Sequence, residues 1–144
     1  MAQEFPVRLE VRVEVARWSF VKRDGQGAID FISPLPCPFN YGSVPGTTSA
    51  DGDAEDVVLL GPRLAIGSRT HARVLGRVLF VDAGRQDAKW ICGSRELRPS
   101  DRLQIDVFFR VYCQAKRVLN AVRGLHGETR YAGIVMPGDA ASWH

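Results

Sequence analysis

The sequence predicts a mainly β (α+β) chain, with short strands arranged as a small barrel and one main C-terminal helix packed on it. Three observations carry this expectation. Residues 7–15, "VRLEVRVEV", alternate apolar and charged without a break. From residue 18 to residue 93, short apolar runs are separated by turn-forming Gly, Pro and Asp. Beyond Arg98 the apolar period changes from that of a strand to that of a helix.

The first strand places Val7, Leu9, Val11, Val13 and Val15 on one face and Arg8, Glu10, Arg12 and Glu14 on the other. "WSFVK" (18–22) and "AIDFI" (28–32) read as a hairpin around "RDGQG". Residues 33–46 hold four prolines and two glycines, a composition that argues against regular structure. "DVVLLG" (56–61) reads as a buried strand, "RTHARVLGRVLFVDAG" (69–84) as a long strand bent at Gly76, and "AKWICG" (88–93) as another. The helix carries Ile105, Phe108, Phe109, Tyr112, Ala115, Leu119 and Val122 at helical spacing. Ser100 or Asp101 is its expected N-cap, and Gly124 its expected C′ residue. The tail has room for one more strand, and residues 136–144 are expected to fray.

At 144 residues the chain suits a single domain over 1–144. Its formal net charge of +3 is too small to indicate nucleic acid, and no basic groove with aromatics is evident. Cys37, Cys92 and Cys113 are an odd set without a CxxC pair, which suggests reduced, buried thiols rather than a disulfide framework or a zinc site. "MAQEFPVRLEV" lacks the apolar core of a signal peptide, and no run approaches membrane-spanning length. The expectation is a cytoplasmic protein with no membrane partner.

The chemistry concentrates in two acidic stretches. "DGDAED" (51–56) sets Asp51, Asp53, Glu55 and Asp56 directly against an apolar strand, and Gly52 permits a tight turn there. Three aspartates on one turn can face a hard cation such as Mg2+, although an isolated DxDxxD more often marks a solvated loop. "FVDAGRQDAKW" (80–90) adds Asp82 and Asp87 at a strand end, with Lys89 two residues on. Five carboxylates at two strand-to-loop junctions suit adjacent metal ions, and a lysine beside them suits phosphate. His71, His126 and His144 are too scattered to form a ligand set.

"FNYGSVPGT" (39–47), "DGDAEDVVLL" (51–60) and "DAGRQDAKWI" (82–91), in that order and spacing, resemble three consecutive blocks of the soluble family I inorganic pyrophosphatases. The resemblance implies a five-stranded OB-like barrel and hydrolysis of inorganic diphosphate to phosphate with several Mg2+ ions, Mn2+ being an alternative metal. By block, it implies that Asp51, Asp56 and Asp87 hold the main metal site, and that Asp82 and Asp87 hold a further, substrate-linked metal. It places Asp53 beside the attacking water, and makes Tyr41 and Lys89 the active-site tyrosine and phosphate-binding lysine. Tyr112 matches a phosphate-contacting tyrosine on the helix, and Glu14 an acidic residue of the first strands. A homo-oligomer is compatible with this reading.

The chain also departs from the family pattern. Ala54 and Glu55 replace a proline and an apolar residue, and Ala83 replaces a carboxylate. Ser19 and Val21 stand where the family has Lys and Glu, its arginine falls near Ile29 or Asp30, and Cys113 stands where it has a lysine. Arg23, Arg110 and Lys116 are the cations left to substitute. Two functions follow: an Mg2+-dependent diphosphatase, or a catalytically weak relative that binds metal and phosphate compounds or a protein partner.

Overall fold

The computed structural model describes residues 5–23, 29–32, 35–47 and 54–139. Among them the elements run β1 (Arg8–Val15), β2 (Val21–Arg23), β3 (Ile29–Ile32), β4 (Asn40–Ser43), β5 (Asp56–Leu59), β6 (Arg69–Asp82), β7 (Arg85–Gln86), β8 (Lys89–Gly93), α1 (Pro99–Val122) and β9 (Arg130–Val135). Seven strands form one sheet in the order β1-β4-β5-β8-β6-β7, with β9 also on β6, while β2 and β3 pair separately. β1 pairs with β6 as well as β4, so five strands link in a ring of pairings.

This architecture corrects the expected five-stranded OB-like barrel: the array is a mixed seven-stranded sheet with one C-terminal helix. The reason lies in β6. Over its 14 residues it meets β1 from Arg69 to Arg73, then β8, then β9 from Arg77 to Val81, and finally β7. It carries an extra residue between Val74 and Gly76 against β8, and β9 carries one opposite Leu79 and Phe80, which lets β6 bend and change partners. The bend expected at Gly76 is therefore present, but the extra partners widen the sheet.

Both faces of the central strands are covered, which explains why β5 reads as a continuous apolar run. Val57 and Leu59 pack with Val11, Val13, Val74, Trp90 and Cys92. Val58 packs on the opposite side with Phe39, Phe80, Ile91, Ile105 and Phe109. In β1 the strict alternation breaks where the register shifts between Val13 and Val15, so Val15 joins the helix-side cluster. Val7 stays exposed, outside the strand.

β4 is the second correction. Asn40–Ser43 is a fully buried strand within the Pro-rich stretch, because Pro36 and Pro38 precede it and leave four residues free to pair with β1 and β5. A Cβ on Gly42 would lie 2.0 Å from the Arg12 carbonyl oxygen, so this crossing requires glycine.

The helix starts earlier than expected. Arg98 is the N-cap and Pro99 occupies the first turn, while Asp101 accepts the Arg98 backbone N–H at 2.9 Å and Arg95 Nη1 at 2.7 Å. Its other end is as expected: Gly124, at φ +70°, follows the last turn, and the Leu125 N–H reaches the Asn120 carbonyl at 2.8 Å. Ile105, Phe108 and Phe109 bury as predicted, whereas Val122 is exposed and Asn120 is buried.

Asp82 ends β6 and Arg85 opens β7, joined by Ala83 and Gly84 at φ +49° and +83°. A two-residue hairpin with both central residues at positive φ favours Asn-Gly or Asp-Gly, and alanine is strained there. Ala83→Asn is expected to stabilise by about 1 kcal/mol and to raise the thermal midpoint by a few degrees. A midpoint that falls would show that the turn tolerates alanine without strain.

Candidate active site

Asp56 opens β5 and Lys89 opens β8, and the parallel register pairs the two residues directly. Asp87 lies just before β8, where its backbone N–H donates to the Phe80 carbonyl at 2.8 Å. Lys89 is fully buried, and its Nζ lies 3.1 Å from Asp56 Oδ2 and 2.9 Å from Asp87 Oδ2. Two carboxylates thus converge on one positive atom. Burial works against the ammonium, but Tyr41, Asp56, Asp87 and Tyr112 outweigh it, and the Lys89 pKa rises well above the ordinary lysine value. The lysine is charged at any physiological pH.

Tyr41, on β4, and Phe80, on β6, lie beside this ammonium, with ring centroids 5.8 and 5.7 Å from Nζ. Burial, reinforced by Asp56 and opposed by Lys89, holds the Tyr41 hydroxyl neutral, with its pKa well above the usual value. Tyr112 packs its ring against Phe80, Phe108 and Phe109 at 5.4, 5.9 and 5.7 Å. Its pKa is also raised, first by burial, with Lys89 opposing and Asp87, Asp56 and Asp82 adding. The ring belongs to the core, while the hydroxyl senses the acidic centre.

Asp82, at the end of β6, is held by side chains of α1. Asn120 Nδ2 donates to its Oδ1 at 2.7 Å, and Lys116 Nζ lies 3.2 Å from its Oδ2. Asn120 also donates to Thr129 Oγ1 at 3.0 Å, which accepts the Ala83 N–H at 3.1 Å. One network therefore ties the β6–β7 turn to the last turns of α1. Spacing could have revealed it, because Tyr112, Lys116 and Asn120 follow one another at four-residue steps along one helix face.

Asp56, Asp87, Lys89, Tyr41 and Tyr112 come together as the sequence suggests, while Asp82 is held by Asn120 and Lys116 on α1. Asp51 and Asp53 lie outside the described residues. Glu14 accepts a hydrogen bond from Ser43 Oγ at 3.1 Å, and Ser43 is the register partner of Asp56. Glu55 accepts from Trp90 Nε1 at 3.4 Å, and its charge supports Arg77, whose guanidinium lies 4.5 Å over the Trp90 ring. Among the described residues, no three His, Cys, Asp or Glu side chains form a metal-sized group. All three cysteines are free and buried, and burial pushes the Cys37 and Cys92 thiols up to about 12. None of the described helices is long and apolar enough to cross a membrane.

The family model for inorganic pyrophosphatase matches residues 3–136. This chain belongs to the inorganic pyrophosphatase family. An inorganic pyrophosphatase of Gluconobacter oxydans is 34% identical over 98 residues, covering 62% of this chain and 57% of that relative. The match thus spans less than two thirds of the relative's own length. The crystal structure of an inorganic pyrophosphatase from Neisseria gonorrhoeae superimposes with a TM-score of 0.70 at 28% identity, covering 90% of this chain and 82% of that one. That from Thermus thermophilus gives 0.69 at 26% identity, covering 94% and 86%. Membership of the pyrophosphatase family accounts for the three sequence blocks and for the shared fold.

Proposed function

We propose that this chain hydrolyses inorganic diphosphate to two phosphates, with Mg2+ as its metal. The observation that carries the reading is the buried Asp56–Lys89–Asp87 group, in which two carboxylates already sit within 3.1 Å of one positive charge. Carboxylate oxygens are the donors a hard divalent cation takes, and Mg2+ keeps several waters, so the chemistry of Asp56 and Asp87 suits Mg2+. Asp51, Asp56 and Asp87 would hold one ion, and Asp82 with Asp87 another. Bound Mg2+ supplies charge neutralisation for the phosphates and lowers the pKa of a water toward neutrality.

The side chains provide the rest. Asp53 takes the proton of the attacking water, whose oxygen bonds to one phosphorus as the bridging P–O bond breaks. Lys89, held charged by its surroundings, donates to a phosphate oxygen. Tyr41 and Tyr112, held neutral by burial, offer hydroxyl protons where negative charge collects on the departing phosphate. The reduced, buried cysteines suit a cytoplasmic setting.

The alternative is a binding protein with little turnover, favoured by the uncharged Ser19 and Val21 and by Cys113, whose Sγ points to the Thr129 carbonyl at 3.6 Å. Phosphate release from diphosphate decides between the two. Release is expected with millimolar Mg2+ and none without it. Saturable binding of diphosphate and Mg2+ without release would overturn the enzymatic reading.

A further inference from the structure

Position 113, where the family resemblance leads one to expect a lysine, holds an uncharged cysteine in this chain. Cys113 is buried, and its thiol lies 3.6 Å from the carbonyl of Thr129, the residue before β9. On an α-helix, residue 113 lies about 100° around the axis from Tyr112, whereas residue 116 lies only about 40° from it. Lys116 therefore shares the face of Tyr112. Its ammonium reaches Asp82 at 3.2 Å, with the side chain 16% exposed. Arg110, another cation available on the helix, lines a different groove with Asp106, Arg117, Arg130 and Tyr131. A pair of four-residue steps thus sets a phenol, an ammonium and the Asn120 amide along one edge of the centre.

We propose that Lys116 is the helix-borne cation that contacts the substrate's phosphate in this chain, supplied one turn later than position 113. This rests on the diphosphatase reading above. Two observations support it. Tyr112 packs its ring 5.4 Å from that of Phe80, which itself lies 5.7 Å from Lys89 Nζ, and Lys116 follows Tyr112 by one turn on the same helix face and reaches Asp82. Asn120 already holds the other oxygen of Asp82, so the carboxylate keeps a neutral anchor if the ammonium swings to a phosphate. A four-carbon stem with rotatable donors permits that movement.

The test is calorimetric binding of methylenediphosphonate, a diphosphate analogue with a non-hydrolysable carbon bridge, at saturating Mg2+. Lys116→Gln should lose on the order of tenfold or more in analogue affinity, the worth of a charge-assisted hydrogen bond. Lys116→Arg should retain most of it. Affinity for Mg2+ alone should not fall in Lys116→Gln, because no oxygen donor is removed. Thermal midpoints of both variants establish that they are folded. Unchanged analogue affinity in Lys116→Gln, or an equal loss in Lys116→Arg, would overturn the proposal. So would a loss that merely follows weakened Mg2+ binding, which would mean that Lys116 only positions Asp82. If the unaltered chain does not bind the analogue with Mg2+, the diphosphatase reading itself falls, and this inference with it.

Discussion

Lys89→Met is expected to abolish phosphate release and to destabilise the fold by about 3 kcal/mol, lowering the thermal midpoint by about 10 °C. The substitution keeps the apolar stem but leaves Asp56 and Asp87 facing each other across a buried space without their shared cation. Removing one partner of a buried ion pair is costly because the remaining charge is desolvated and uncompensated. Here two charges are stranded. The pH dependence follows from the direction of the lysine's shift. A folded-state pKa raised above the unfolded value contributes stability that is complete below the ordinary lysine value and fades only as pH rises through the raised one. The deficit should therefore be constant from about pH 7 to pH 9. Millimolar Mg2+ should raise the midpoint of Lys89→Met more than that of the parent, since it would restore positive charge between the carboxylates. A variant that melts like the parent and responds equally to Mg2+ would show that the three residues do not form one electrostatic unit.

The same group shows what could be read from the chain and what could not. Motif order marked Asp56, Asp87 and Lys89 as members of one site, yet spacing alone could not place Asp56 opposite a lysine 33 positions away. That pairing comes from the parallel alignment of β5 and β8, which is set by burial on both faces and carries no local signature. β1, β5, β6, β8 and α1 were legible because their apolar periods are long or their runs continuous. β4 was hidden by its neighbouring prolines. The extent of the sheet was hidden by the bulges in β6 and β9, which let β6 serve four partners without altering its residue pattern. Asp82 illustrates a further limit. Its likeness to the family suggested a metal ligand, and only the folded helix shows that Asn120 and Lys116 reach its oxygens.

The acidic cluster at 51–56 is expected to divide its labour, and three substitutions measured side by side test the division. Asp56→Asn should weaken Mg2+ binding and abolish turnover. It removes a negative charge from the point where Asp87 and Lys89 converge, and a neutral amide oxygen holds a divalent cation more weakly than a carboxylate does. Asp53, assigned to the attacking water, should behave differently. Asp53→Asn is expected to leave Mg2+ affinity nearly intact while kcat falls by roughly 10²–10⁴-fold, the range that general-base assistance supplies. Glu55 is the control. Its carboxylate accepts the Trp90 indole N–H at 3.4 Å and faces Arg77 rather than Lys89, and glutamine can still accept that hydrogen bond. Glu55→Gln should therefore change metal affinity and turnover little. The ordering is what matters: Asp56→Asn loses both quantities, Asp53→Asn loses rate alone, and Glu55→Gln loses neither. Equal behaviour of Asp53→Asn and Glu55→Gln would remove Asp53 from the chemistry. Normal Mg2+ affinity in Asp56→Asn would mean that the carboxylates around Lys89 balance only the lysine, and that the metal binds elsewhere.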